Sequence, residues 1–396
     1  MKRLYSVFLF LSVYWFFILS KLLPFFLGSK KKKGTVLYLA AFYPGNAGYH
    51  WRVQKWAEIL KQNGYEVEIF VAANEDDYKN VCNENFHRFL MRFLRRRFWQ
   101  VLKSRHFETV IVRREILIFN DYGNLFMEKM LLKFHPNAIL DFDDDLSAAK
   151  GQPKSIENSY AKFLLENGDK FNATLKMYNR FIVASNYLKS RIDALNINRN
   201  TYKVCIIPTC VDYDKYAVKT YESHKDNFVI GWIGGDYNYN LLDPIFKILD
   251  QLIEKYNFSF VLIGGNELKR HSKFPMSYHK WSLQNEVDLL KIIDIGIMPL
   301  TEDLESMGKG GFKLIQYMGL GIVSIASPIT INNEIIDHGI NSFLAKTEEE
   351  WLAVLDSILC DKVSLQKMGK LAREKINSQF TFEANKTKYL DFIRTK

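Results

Sequence analysis

The chain reads as an α/β protein built from two doubly wound domains in series, and three observations carry that reading. Its 396 residues exceed the roughly 100–200 residues of one domain. From residue 35 onward, short β-branched and aromatic runs alternate with longer stretches of helical period, the mark of parallel sheets covered by helices on both faces. The alternation pauses over residues 211–227, a polar stretch without periodicity, and then restarts. A composition of 48% apolar, 15% aromatic and 25% charged residues supplies two cores and excludes general disorder.

The first element is apolar. Residues 4–20 carry no charge, and Lys21 and Pro24 then interrupt a second apolar run that ends at Leu27. Twenty-four residues at about 1.5 Å each reach about 36 Å, enough for a hydrocarbon core of about 30 Å. No small-x-small cleavage site follows, so a membrane anchor is expected over residues 1–33 rather than a cleaved leader. Lys30–Lys33 outweigh Lys2 and Arg3, which places the bulk of the chain on the cytoplasmic side of the inner (cytoplasmic) membrane. Lys21 also allows a shallow insertion instead of a span.

A strand is expected at 36–42, a helix at 49–63 closed by Gly64, and a strand at 66–72. Further strands at 109–112, 138–142, 181–184 and 203–207 complete a first domain over 34–215. Strands at 228–233, 258–263, 295–298, 322–325 and 342–345 build a second over 216–380, and residues 381–396 read as a helix packing back toward the first. Two Rossmann-like domains of this kind face a cleft, with ligands outside the carboxyl ends of the strands. The loops there therefore matter most.

After the first strand comes Gly45-Asn46-Ala47-Gly48-Tyr49-His50, which lacks the GxGxxG spacing of a dinucleotide site. The second domain opens with a strand ending in Gly234-Gly235, and its next strand ends in Gly264-Gly265. The most specific stretch is Gly308-Lys309-Gly310-Gly311-Phe312-Lys313, between a strand and a helix. Lys309 and Lys313 lie four apart and can face one side of a first helical turn. A helix N-terminus, glycine amides and two ammonium groups form a cradle for a diphosphate.

This stretch, continuing through Gln316-Tyr317-Met318, resembles the donor-nucleotide signature of the family-4 glycosyltransferases with the GT-B fold. The likeness extends through Ser327-Pro328, Asn332-Asn333-Glu334 and Glu349-Glu350-Trp351. In the first half, Arg114-Glu115, Asp141-Phe142-Asp143-Asp144-Asp145 and Pro208-Thr209-Cys210-Val211-Asp212 are similar to the family's "RE", "DFDDA" and "PNGVD" segments. The resemblance implies a retaining transfer from a nucleotide sugar held by the second domain. It places Lys309, Lys313, Gly310 and Gly311 on the diphosphate, and Gln316, Gly234 and Gly235 at the nucleotide ribose. Many relatives carry Glu-x7-Glu where this chain has Gly308 and Gln316, so Glu302, Asp303 and Glu305 are alternatives for the donor sugar. Glu115, Asp143, Asp144 and His50 are the catalytic or acceptor-side candidates. The acidic run could also hold a divalent ion, but the lysines already supply charge, so no metal and no cofactor is expected.

The net charge of +10 is local: residues 1–33 and 86–106 hold seven Lys/Arg each and no acid, leaving 40 basic against 44 acidic residues elsewhere. Residues 86–106 read as a helix with an apolar stripe and an arginine face that can rest on anionic lipid. No RNP, KH or aromatic-interleaved pattern accompanies it, so nucleic acid is not an expected partner. Cys82, Cys205, Cys210 and Cys360 show no metal-ligand spacing. The expected partners are a nucleotide sugar, a glycan or glycolipid acceptor, and a membrane met through residues 4–27 and 86–106. A nucleotide-sugar epimerase and a non-catalytic scaffold subunit are the competing readings.

Overall fold

A computed structural model of the chain describes residues 2–28, 30–79, 86–119, 125–147, 169–195, 202–219, 227–268, 270–360 and 363–395, with the side chains of 2–10, 78–79, 86–87 and 363–364 outside the description. Cys82 lies outside it as well. Two compact units result: Met1–Ile207 together with Lys388–Lys396, and Pro208–Thr387.

The first unit holds a six-stranded sheet of β1 (Lys32–Ala40), β2 (Glu66–Val71), β3 (Phe107–Arg113), β4 (Ile139–Phe142), β5 (Arg180–Val183) and β6 (Lys203–Ile206). All pairs are parallel, in the order β2-β1-β3-β4-β5-β6. The order reverses between β1 and β3, which makes the carboxyl ends of those strands the switch point where a crevice forms. Strand β1 begins four residues earlier than its apolar run, because Lys32 N–H reaches His106 O at 2.9 Å and the Lys32 side chain ion-pairs with Glu66. Half of the four-lysine run therefore belongs to the sheet, and the expected anchor boundary at 33 falls inside a strand.

The apolar N-terminus forms the helix Lys2–Phe26, as its uninterrupted apolar run predicts. It packs on the helices Phe86–Ser104 and Phe126–Phe134. Val13 is buried, the Phe16 and Phe98 rings lie 4.8 Å apart, and Phe17 meets Phe126 edge-on at 6.5 Å. The expected span over 4–27 is corrected here. Among the described residues no helix is long and apolar enough to cross a membrane, and one face of this one, down to the buried Ser20, is occupied by its own domain.

The helix Phe86–Ser104 buries the predicted stripe, including Phe89, Phe93, Phe98 and Leu102. Its arginine face divides. Arg88 and Arg95 are exposed, Arg92 and Arg96 reach Asp77 at 3.2 and 3.1 Å, and Arg97 turns inward. The buried Arg97 guanidinium donates to Ile116 O at 3.0 Å and Ala40 O at 2.8 Å, tying the helix to the ends of two chain segments. Arg97 is thus removed from the expected lipid-facing set.

Residues 388–396 complete this unit. Tyr389 is fully buried, stacks on Trp56 at 4.0 Å and 16°, and hydrogen-bonds the Tyr38 hydroxyl. Arg180 lies over the Phe392 ring and donates to Phe392 O.

The second unit holds β7 (Phe228–Gly234), β8 (Phe258–Gly264), β9 (Met276–Lys280), β10 (Ile295–Met298), β11 (Val323–Ala326) and β12 (Phe343–Leu344), parallel throughout in the order β12-β11-β10-β7-β8-β9. Here the switch point lies between β10 and β7. Strand β9 escaped the periodicity reading because Met-Ser-Tyr-His-Lys on a half-exposed edge carries no apolar alternation. Strands β7 and β8 run together to a matched pair, Gly234 opposite Gly264. Gly264 has φ +145°, and a Cβ there would lie 1.8 Å from Gly234 O, so no other residue fits.

Candidate functional site

Strands β7 and β10 pair only through Ile230 and Gly231, then part. Ile233 N–H, which loses its ladder partner, donates to the buried Tyr317 hydroxyl at 2.9 Å. Burial pushes the Tyr317 phenol up, so it stays protonated and keeps its hydrogen-bonding capacity. The gap above this contact is where the sequence-predicted cradle sits.

Lys309 lies in the loop before the helix Phe312–Gly319, and Lys313 on its first turn. Both ammonium groups come to the end of β7. Lys309 Nζ donates to Asn238 Oδ1 at 3.0 Å and stands 3.9 Å from Glu305, while Lys313 Nζ sits 5.3 Å over the Trp232 ring. Gly311 caps the helix with φ +67°, and its absent Cβ leaves room for Ile335 Cδ1, which it would otherwise meet at 2.7 Å. The helix N-terminus and two lysines are therefore brought to one place, as the spacing predicted. Such an arrangement binds an anion and stabilises charge developing on it.

Gly234 and Gly235 have another reason than ligand approach. A Cβ on Gly234 would strike the Trp232 indole at 2.4 Å, and one on Gly235 the Tyr237 ring at 2.5 Å. Tyr237 is largely exposed at this edge and was not singled out by the sequence. Gln316 is buried, with Nε2 donating to Tyr216 OH at 3.3 Å. Tyr216 OH and Trp281 Nε1 donate to the two oxygens of Glu286 at 3.1 and 2.8 Å. Burial raises the Glu286 carboxyl above its ordinary range, against the hydrogen bonds from Trp281, Tyr216 and Gln316. Glu286 was missed because nothing in its local sequence distinguishes it; besides the nearby Trp281, its partners Tyr216 and Gln316 come from distant segments. Of the alternative carboxylates, Glu302 pairs with Lys346 at 2.7 Å, and Asp303 caps a short helix through Ser306 N at 2.8 Å.

The first unit gathers its candidates at its own switch point. Arg52 is buried, bonds both oxygens of Asp141 and donates to Ile207 O at 2.6 Å. Arg113 spans Asp141 at 3.5 Å and Asp143 at 2.5 Å, and Arg114, with φ 67°, reaches Asp144 at 2.7 Å. Burial pushes the Asp143 carboxyl up, but Arg113, Arg114 and Arg52 outweigh it and hold it well below the usual range. The acidic run is thus matched by arginine. Glu115 is buried on Lys170 at 3.2 Å, and that ammonium also donates to Leu117 O and Phe119 O, so the pair braces a loop. His50 is buried in a π-helical turn, His50–Gln54, with Nδ1 3.2 Å from Gln54 and its ring edge-on to Trp51. Among the described residues no three His, Cys, Asp or Glu side chains are grouped to hold a metal ion.

Residues 227–361, most of the second unit, match the family described as Glycosyl transferases group 1. No curated protein matches the chain in sequence. In structure it is similar to sucrose-phosphate synthase from Thermosynechococcus elongatus (10% identity, 91% of this chain and 98% of that one, TM-score 0.64). It is also similar to Anabaena HepE in complex with UDP and glucose (10% identity, 91% and 99%, TM-score 0.62). The lipopolysaccharide outer core galactosyltransferase WaaB gives 14% identity over 91% and 99%, with TM-score 0.57. These likenesses show the two-sheet α/β architecture of GT-B glycosyltransferases, and the domain match supports a glycosyl-transfer enzyme.

Proposed function

We propose that the chain is a retaining glycosyltransferase that moves a sugar from a nucleotide sugar to a lipid-linked or surface glycan at the cytoplasmic face of the inner membrane. The observation that carries the proposal is the meeting of Lys309, Lys313 and the N-terminus of helix Phe312–Gly319 beside β7, inside the domain that matches the family. In this reading the two ammonium groups neutralise the donor diphosphate and the charge that builds on it as the glycosidic bond breaks. The lysines supply that charge without a metal cofactor. Gln316 and Glu286 form the polar floor nearest the ribose. Acceptor positioning falls to Asp143 and Asp144, of which Asp144 is the more open with 45% of its side chain exposed. Glu115, buried on Lys170, braces the loop at Leu117 and Phe119, and His50 is buried in its own π-helical turn, so neither is assigned the transfer chemistry. HepE binds UDP and WaaB acts on lipopolysaccharide, which supports a nucleotide-sugar donor and an envelope acceptor here.

Calorimetry with nucleoside diphosphates, UDP first, tests the cradle: Lys309→Ala with Lys313→Ala should abolish most of the affinity, and unchanged binding would remove it. Incubation with donor alone separates the enzyme classes. Slow release of nucleoside diphosphate is expected, whereas an altered free nucleotide sugar would make the chain an epimerase.

A further inference from the structure

A cavity of about 410 Å³ lies between the N-terminal helix Lys2–Phe26 and the helix Phe126–Phe134. Its walls are Phe17, Phe126, Leu132 and Met177, and its polar rim is Lys21, Lys129 and Lys133 beside Ser20. Among the described residues none that lines it is acidic. Ser20 Oγ donates to Phe17 O at 2.7 Å, so the hydroxyl closes on its own helix and leaves the rim to the lysines. Lys129 and Lys133 stand one turn apart on the same helix and bring two ammonium groups to one side of the cavity. Lys21 joins them from the opposite helix, its Nζ 4.3 Å over the Phe17 ring. Three cations around an apolar floor suit an anion that has an apolar part.

The neighbouring surface says which. The outer side of the N-terminal helix exposes Leu11, Tyr14, Trp15, Leu22, Phe25 and Phe26, with Phe25 and Phe26 each 80% exposed. Lys133 Nζ lies 4.9 Å over the Phe25 ring, so the cationic rim and this aromatic face are continuous. Tyr and Trp beside such a face suit the boundary between lipid headgroups and chains. A soluble anion would use the lysines and leave the floor and the face uncovered.

We propose that this cavity binds the headgroup phosphate of an anionic phospholipid, with Lys21, Lys129 and Lys133 around the phosphate and the acyl chain leaving across Phe17, Phe25 and Phe126. The helix then lies in the membrane interface rather than across it. This deepens the membrane association proposed above and does not depend on glycosyl transfer.

The test uses the full chain with vesicles of phosphatidylcholine alone or with phosphatidylglycerol, read by flotation. Wild-type protein should float with the anionic vesicles. Lys21→Ala, Lys129→Ala and Lys133→Ala together should weaken that binding roughly a hundredfold, at about fivefold per lysine near an anionic surface. A charge-matched control, Lys61→Ala with Lys247→Ala and Lys370→Ala, should change it little; equal losses in the two triple variants would overturn the site. A thermal-shift series with dihexanoyl-phosphatidylglycerol and with inorganic phosphate separates the sources. Stabilisation by the short-chain lipid alone is expected, and an equal effect of phosphate, or none from either, would overturn the lipid assignment. UDP affinity measured on the same variants should stay at the wild-type value, so failure of the donor site and failure of the lipid site remain separate results.

Discussion

The two sheets present opposite solutions at their switch points. In the first unit, Arg52, Arg113 and Arg114 face Asp141, Asp143 and Asp144, each carboxylate with a guanidinium within 3.5 Å. In the second, Lys309 rests on an amide with the Glu305 carboxylate 3.9 Å away, and Lys313 lies over an indole face. A charge set that satisfies itself gives rigidity and a shaped, weakly charged surface. Lysines held chiefly by an amide and a ring face present their field to a ligand. The same topological position thus serves shape in one domain and electrostatic binding in the other.

The sharpest way to break this contrast is to remove a cation from each side. Arg52→Ala leaves the buried Asp141 with Arg113 at 3.5 Å as its remaining described cation, and urea unfolding should show a loss of about 3–5 kcal/mol for that domain. A loss below about 1 kcal/mol would mean that the cluster is not the brace described here. Lys309→Ala with Lys313→Ala should do the reverse, costing roughly a hundredfold in UDP affinity while leaving the urea midpoint in place. A fall in that midpoint would make the lysines structural.

Acid provides the next discrimination. Asp143 is held low by its arginines, so that carboxylate stays ionised as the pH falls. His135 responds first: burial and the nearby Lys31 depress it to about 4, while Nε2 hydrogen-bonds Ser104 O at 2.9 Å. Between about 6.5 and 4 the unfolded chain binds a proton that the folded one does not, so stability falls as the pH drops through that window. From pH 7 to pH 5 the loss should be about 2 kcal/mol. His135→Gln, which keeps a neutral donor, should flatten the profile; an unchanged slope would assign it to another group. The smallest effect is expected at Gly311→Ala, where positive φ and contact with Ile335 should cost about 1–2 kcal/mol by thermal melting. UDP affinity should drop with it as the helix N-terminus shifts.

The fold was legible because apolar β-branched runs and their helices are local signals, and they located eleven of the twelve strands among the described residues. Strand β9 was not, since a half-exposed edge needs no apolar alternation. The lysine cradle was legible because spacing alone places Lys309 and Lys313 together. The acidic run was legible as a motif but not in its state: its neutralisation depends on Arg52, 89 residues away from Asp141 in sequence. Glu286 was hidden for the same reason, and so was the inward turn of Arg97, which needs the carbonyls of Ala40 and Ile116. The anchor reading went astray where hydropathy counts residues but not neighbours, because the surface that half of that helix covers lies in its own domain.

The closing segment 388–396 also governs the order in which the protein can be made. Trp56 and Tyr38 wait for Tyr389, and Arg180 for Phe392. The first unit therefore stays unfinished while all of residues 208–387 pass through the ribosome, on the order of 10–40 s of synthesis. Throughout that interval the Trp56 indole lacks its stacking partner and the side of β1 that carries Tyr38 is open.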